Sequence, residues 1–477
     1  MSKHFGVIVA TLLMKFGGSS IGTTNALTQV VSIVLQEHER WDRLIVVASA
    51  LEGVTDQLIE AAHLAQLANR RGYRRITATL RQRHLSLIDH LSLGTNERSS
   101  LQADIDKLLF EMLDICQILA DSPPENTIMP DKIDAITGVG ERMAARIIAA
   151  LLRQNGIRSV AIDATELIVT NTTHGSAVPQ MEMITAACTQ SSCANAGTTD
   201  CADCDRVHRR HPNRQNHYAG RGGSDYTASI LAVCAGVQEV WVWTDVDGMM
   251  TSDPRDIPDA QVIPELSYTE VAELAYFGAR ILHARMIQPL RENKIPLRVR
   301  NVYKPQQPGT VIQQGKPGAA PTLKAVTTIQ AIALSALHSG SLAAIAHLVD
   351  ETLYEAIGSH AEVMISSQSA TESLACFVIP PLAGSAAVHT AQIALEVALR
   401  ESGNTTWRVF PVSIITTVGT SIDNANLLTA TIFQSLGSIR ILGVSQGPSR
   451  CTLSVVVEPQ YAETALQRIH ALTIAAV

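Results

Sequence analysis

The sequence predicts an α/β protein, with a mainly parallel sheet first and two small mixed modules after it. Three observations carry this. Residues 14 to about 305 alternate short β-rich runs with longer helical patterns, the order that builds a parallel sheet with helical crossovers. Lys304 to Pro321 is rich in Pro, Gly and Gln and reads as a linker. Beyond it, Leu323 to Ile379 and Val412 to Ile474 each read strand, helix, strand, strand, as in a ferredoxin-like βαββαβ unit. The expected division is 14–312, a linker at 304–321, and modules at 322–400 and 401–477.

The elements follow in order. Phe5 to Leu13 reads as lead-in to a strand, or as upstream sequence if translation starts at Met14. Ala26 to Glu39 has helical spacing, Leu44 to Ala48 is a β-branched strand, and Leu58 to Ala68 is helical again. Residues 75 to 122 place Leu and Ile three and four apart, which predicts a helical excursion. Gly140 to Gln154 and the run Thr227 to Val237 are helical, and Val240 to Trp243 is a strand. In the last module, Val412 to Val418, Ile439 to Val444 and Cys451 to Val457 read as strands, with helices at Asn424 to Leu436 and from Ala462.

Bulk properties exclude several classes. A net charge of -7 and pI near 6.1 argue against a nucleic-acid partner held by phosphate contacts. Charges interrupt every apolar run well short of a bilayer span, so no membrane partner and a cytoplasmic location are expected. Cys116, Cys234, Cys376 and Cys451 are scattered in apolar surroundings, as buried thiols usually are.

Four motifs stand at strand ends, where open α/β sheets hold ligands. Lys15-Phe16-Gly17-Gly18-Ser19-Ser20 can set an ammonium and backbone N–H groups around a phosphate. Ser49 to Thr55 is a small-residue turn between strand and helix. Gly138-Val139-Gly140-Glu141-Arg142 puts a carboxylate at a helix start, which complements the dipole or clamps an ammonium. Thr244-Asp245-Val246-Asp247-Gly248, followed by Asp253-Pro254-Arg255, suits nucleotide or magnesium contacts, or a plain turn. A fifth, Gly220-Arg221-Gly222-Gly223-Ser224-Asp225, is a glycine-rich turn opening a helix, an arrangement that binds anions.

Together these resemble the aspartate kinases of the amino-acid kinase family. The matching stretches are KFGGSS at 15–20, VVASALEGVTD at 46–56, GVGER at 138–142, GRGGSD at 220–225 and TDVDGMMTSDPR at 244–255. SYTEVAELAYFGARILH at 267–283 and Asn301, Gly309 and Thr310 also match. The resemblance implies a three-layer αβα sandwich followed by two ACT modules that bind a feedback amino acid. It implies ATP and Mg2+ as cofactors, L-aspartate as substrate, and a homodimer or higher homo-oligomer. No dehydrogenase portion is expected in a chain of this length.

The resemblance also assigns roles. Lys15 stabilises charge on the transferring phosphoryl group, and Asp225 orients the lysine or the attacking carboxylate. Arg221 pairs with the substrate α-carboxylate and Glu141 with its α-ammonium, while Ser49, Thr55 and Ser224 line the aspartate pocket. Lys15, Gly17, Gly18, Ser19, Thr244, Asp245, Met250, Arg255 and Arg280 are the nucleotide contacts. Met250 stands where an aromatic residue is frequent, Arg280 where lysine is, and Ala284 where proline is. The alternatives are another amino-acid kinase, or a non-catalytic ACT protein that only senses an amino acid.

The interval Cys188 to Ala219 is unlike the rest, with four cysteines, four arginines and three histidines. Cys201-x-x-Cys204-x-x-x-His208-x-x-His211 has the spacing of a zinc site. A second reading starts from the family pattern, which places a strand and loop of the type PIVTGFIGAT here. Asp203 to Ala219 can be encoded so that the frame displaced by one nucleotide reads IVTGFIGATPTGKTTT. Compensating frame changes near 184–192 and 218–221 account for that. A genuine insertion is the third reading. As written, the arginines and histidines are a poor filling for a buried strand.

Overall fold

The computed structural model describes residues 10–122, 130–170, 178–195, 223–278, 282, 284–316, 318, 320–337, 341–379, 386–422 and 426–474. Its strands are β1 (Thr11–Phe16), β2 (Arg43–Ala48), β3 (Glu239–Thr244), β4 (Glu265–Ser267), β5 (Leu297–Asn301) and β6 (Thr310–Gln313). They continue with β7 (Thr322–Leu337), β8 (Val363–Gln368), β9 (Glu372–Val378), β10 (Trp407–Thr420), β11 (Gly443–Gln446) and β12 (Thr452–Val457). Two compact units result. One holds residues up to Gly248 together with Arg285–Gln314; the other holds Met249–Ala284 and Gly315 onward.

In the first unit the strands lie in the order β2-β1-β3-β5-β6, parallel except for the β5–β6 pair. Helices cover both faces. Leu12, Met14 and Phe16 of β1 join one large apolar core with the helices Thr24–His38, Val54–Gln66, Arg70–Asp89, Thr95–Asp121 and Val139–Gln154. Helix Gly223–Cys234 packs against β1, β2 and β3. Local chemistry sets several helix starts: the Thr23 hydroxyl accepts from Ala26 N, and the Asn69 side chain from Gly72 N. The parallel sheet and the helical excursion agree with the sequence reading. The linker does not hold throughout 304–321, because Thr310–Gln313 forms β6 against β5.

In the second unit the sheet is antiparallel, in the order β11-β12-β10-β7-β9-β8. The long strands β7 and β10 pair from Thr322↔Thr420 to Ala336↔Trp407. Each is therefore the first strand of one ferredoxin-like module and the fourth strand of the other. Neither module closes its sheet without half of the other's long strand. The strand expected at Ile439 to Val444 is Gly443–Gln446 instead. Two apolar clusters lie under the helices of the two modules.

Met249–Ala284 groups with the residues from Gly315 onward in the second compact unit. Helix Tyr268–Tyr276 starts with a capping box, Ser267 and Glu270 bonding each other's backbone N–H. The same Glu270 carboxylate is 1 % exposed, accepts from Lys324 Nζ of β7 at 2.8 Å and from the Thr420 hydroxyl of β10 at 2.7 Å. These bonds hold the carboxyl below its ordinary range against the opposing effect of burial. The scattered thiols are buried, and burial pushes Cys116 and Cys376 up to about 12.

Candidate active site

The ends of β1, β2, β3 and β5 share one edge of the parallel sheet, and the direction of winding reverses beside β1. That is where such sheets bind ligands. Lys15 lies one residue before the end of β1 and is 7 % exposed. Its Nζ is ion-paired with Asp225, which sits in the first turn of helix Gly223–Cys234. Beside Asp225, the Ser224 hydroxyl meets the Ser49 hydroxyl at 2.9 Å. Two bonds to one carbonyl fix the turn after β1: Gly17 N and the Ser20 hydroxyl both donate to Trp243 O of β3, each at 3.1 Å.

Ala50 is the hub that brings the motifs close. A Cβ on Gly18 would lie 2.7 Å from its carbonyl oxygen, and one on Gly140 would lie 2.6 Å from its Cβ. Only glycine permits either approach. Glu141 therefore enters the site from the first turn of helix Val139–Gln154 and is withdrawn from solvent. Burial raises its carboxyl above the ordinary range, opposed by backbone N–H groups of Glu141 and Ala50 and by the Lys15 charge. Its Oε2 has no hydrogen-bond partner among the described residues. A buried carboxylate oxygen left open beside a lysine–aspartate pair is suited to a cationic ligand group. Thr55 is half-buried in the first turn of helix Val54–Gln66. A cavity of about 1350 Å³ has Ala48, Glu141 and Ser224 on its wall.

At the end of β3, Thr244 donates to Asp245 at 3.1 Å, and Asp245 is exposed. The buried Asn301 of β5 donates to Asp247 and to the Asp245 carbonyl, while Lys304 donates to Asp247 at 2.7 Å. Lys304 and Asn301 hold the Asp247 carboxyl below its ordinary range. The sequence reading placed Asp247 inside a motif and missed Lys304. A lysine three residues beyond the matching asparagine was the available signal.

Of the remaining expected nucleotide contacts, Met250 and Arg255 belong to the second unit. Met250 bridges Val262, and the Arg255 guanidinium grips Asp253 from the same turn. Arg221 and Arg280 lie outside the described residues, as do the zinc-spaced Cys201, Cys204, His208 and His211. Cys188 ends up in helix Met181–Asn195.

The amino acid kinase family model matches residues 10–301. The chain belongs to the amino acid kinase family. An ACT domain model matches residues 415–472, the second module. Bifunctional aspartokinase/homoserine dehydrogenase 1, chloroplastic, of Arabidopsis thaliana is 27% identical over 474 residues, covering 96% of this chain and 50% of its own. Aspartokinase 2, chloroplastic, of the same plant is 27% identical over 470 residues, covering 96% and 84%. The chain spans about half the length of the first of these curated relatives. Aspartokinase III of E. coli in complex with lysine and aspartate has a TM-score of 0.74 at 22% identity, covering 97% of this chain and 99% of that one. At that identity the likeness is one of fold. No helix among the described residues is long and apolar enough to cross a membrane.

Proposed function

We propose that this amino acid kinase transfers the ATP γ-phosphoryl group to the β-carboxylate of L-aspartate, giving 4-phospho-L-aspartate. The observation that carries the reading is the open, buried Glu141 oxygen beside the Lys15–Asp225 pair and the Ser49–Ser224 contact. Glu141 takes the α-ammonium, and Arg221 the α-carboxylate, leaving the β-carboxylate to attack. Lys15 draws charge off the transferring group, held in position by Asp225. Such transfer needs placement and electrostatic stabilisation more than covalent chemistry. Thr244, Asp245, Met250, Arg255 and Arg280 are the nucleotide contacts.

The donor set also fits Mg2+. Asp245 is an exposed carboxylate at a strand end, and no cluster of three metal-ligating side chains occurs among the described residues. A magnesium ion carried mainly by phosphates and water needs no more. When bound it supplies charge neutralisation on the phosphates.

The paired modules are read as a site for a feedback amino acid and as the contact of a homo-oligomer, in a cytoplasmic enzyme. The test is aspartate-dependent ADP formation by purified protein. Turnover lost in Lys15→Ala supports the reading; amino-acid binding with no turnover by the parent chain replaces it with a sensor.

A further inference from the structure

Among the ties that fasten the turn carrying Met250 and Arg255 to the second module is a buried imidazole. Thr251, 8 % exposed, sits at its centre. Its carbonyl accepts from Val326 N of β7 at 2.8 Å, and its N–H donates to Gln261 O at 2.8 Å. Its hydroxyl accepts from Gln261 N at 2.9 Å and stands 2.8 Å from His470 Nε2. With the hydroxyl oxygen already accepting, its proton is available to the ring nitrogen.

His470 belongs to helix Ala462–Ile474 and is 3 % exposed. The neighbouring Leu466 and Ile469 are core residues of the second module, and Ile257 of the same turn packs into that core. An imidazole in such surroundings is costly unless a partner satisfies it. Thr251 is that partner.

We propose that His470 is a positioning residue for the nucleotide: by holding Thr251 it fixes the turn that presents Met250 and Arg255 to ATP. The inference rests on the reading of those two residues as nucleotide contacts. It makes affinity for a nucleoside triphosphate depend on a side chain of the ACT module even with no effector present.

The test uses the full chain, with ADP as probe in calorimetry and backbone hydrogen exchange as the second readout. His470→Leu is expected to weaken ADP binding about tenfold, the scale of one lost buried hydrogen bond. It should also speed exchange at residues 249–263 while aspartate affinity stays unchanged. His470→Gln, which keeps a polar group near the ε position, is expected to recover most of the affinity. Gln467→Ala, on the exposed side of the same helix, should match the parent. If His470→Leu does not fold, Thr251→Val removes the same bond from the other side. Parent-like ADP affinity and exchange in His470→Leu overturn the inference alone, and so does a parallel loss of aspartate binding. A parent chain that binds no ADP overturns the nucleotide reading, and this inference with it.

Discussion

Lys15 at the end of β1 and Asp225 at the start of helix Gly223–Cys234 form an ion pair whose side chains are 9% and 14% exposed. Taking away one member strands the other in a poorly solvated place. Asp225→Asn is therefore expected to cost roughly 3 kcal/mol of stability and to lower turnover by roughly 10³-fold. Lys15→Met combined with Asp225→Asn should recover part of the stability and none of the activity. Denaturant melts and ADP-release assays on the parent and both variants check this; equal stability of the single and double variants would refute the coupling.

Gly140 faces Ala50 so closely that a Cβ would sit 2.6 Å from the Ala50 Cβ. In an ordinary helix, Gly→Ala adds roughly 1 kcal/mol of stability. Here the sign reverses, because helix Val139–Gln154 must back away and take Glu141 with it. Gly140→Ala should raise the KM for aspartate more than that for ATP. Ala50→Gly in the same chain removes the clashing atom and should restore the KM. Failure of that rescue would show that the contact is not what fixes Glu141.

Glu141 gives a pH dependence whose sign follows from burial. Its folded carboxyl titrates above the ordinary glutamate value of about 4.3. Ionised, it destabilises the fold; protonated, it does not. Stability attributable to this group thus falls as pH rises through the ordinary range and levels off above the folded value. Glu141→Gln should melt a few degrees higher, roughly, at neutral pH, with the difference vanishing near pH 4. It should also lose aspartate binding. A lower melting temperature at neutral pH would contradict the account.

His84 acts in the opposite direction. It is fully buried, with Nδ1 2.7 Å from Leu80 O, and burial lowers its pKa. Its folded state is neutral, so stability is lost as pH falls below the ordinary value of about 6.5. His84→Leu should flatten the stability decline between about pH 6.5 and 5. An unchanged slope would place that decline on other groups.

The positions of Lys15, Ser49 and Thr244 were legible because they lie in short motifs at the ends of β1, β2 and β3, whereas the strand expected before Gly138–Arg142 is helix Pro130–Thr137. What was not legible depends on contacts between distant segments. Nothing near Ala50 announces that Gly18 and Gly140 both close on it. β7 and β10 each read as an ordinary first strand, so their service in both modules emerges only from pairing. The turn 249–264 carries a kinase motif yet takes its core contacts from Ile257 against the second module. β6 was hidden by the Pro- and Gly-rich residues around a four-residue strand.

The interval Asp203 to Ala219 lies outside the described residues, and its sequence makes the sharpest prediction. Replacing it by IVTGFIGATPTGKTTTL substitutes a β-branched run and a small-residue loop for a stretch rich in arginine and histidine. The first is what a buried strand requires; the second leaves charges to be desolvated. If displaced reading frames made this interval, the replaced chain should melt more cooperatively and at higher temperature, and form ADP from ATP and aspartate faster than the parent. Sequencing the gene across residues 184 to 221 checks the same idea directly. A parent chain that retains zinc through dialysis and loses melting temperature on chelation assigns the interval to Cys201, Cys204, His208 and His211 instead. A replaced chain no more stable or active than the parent removes the frame-change reading.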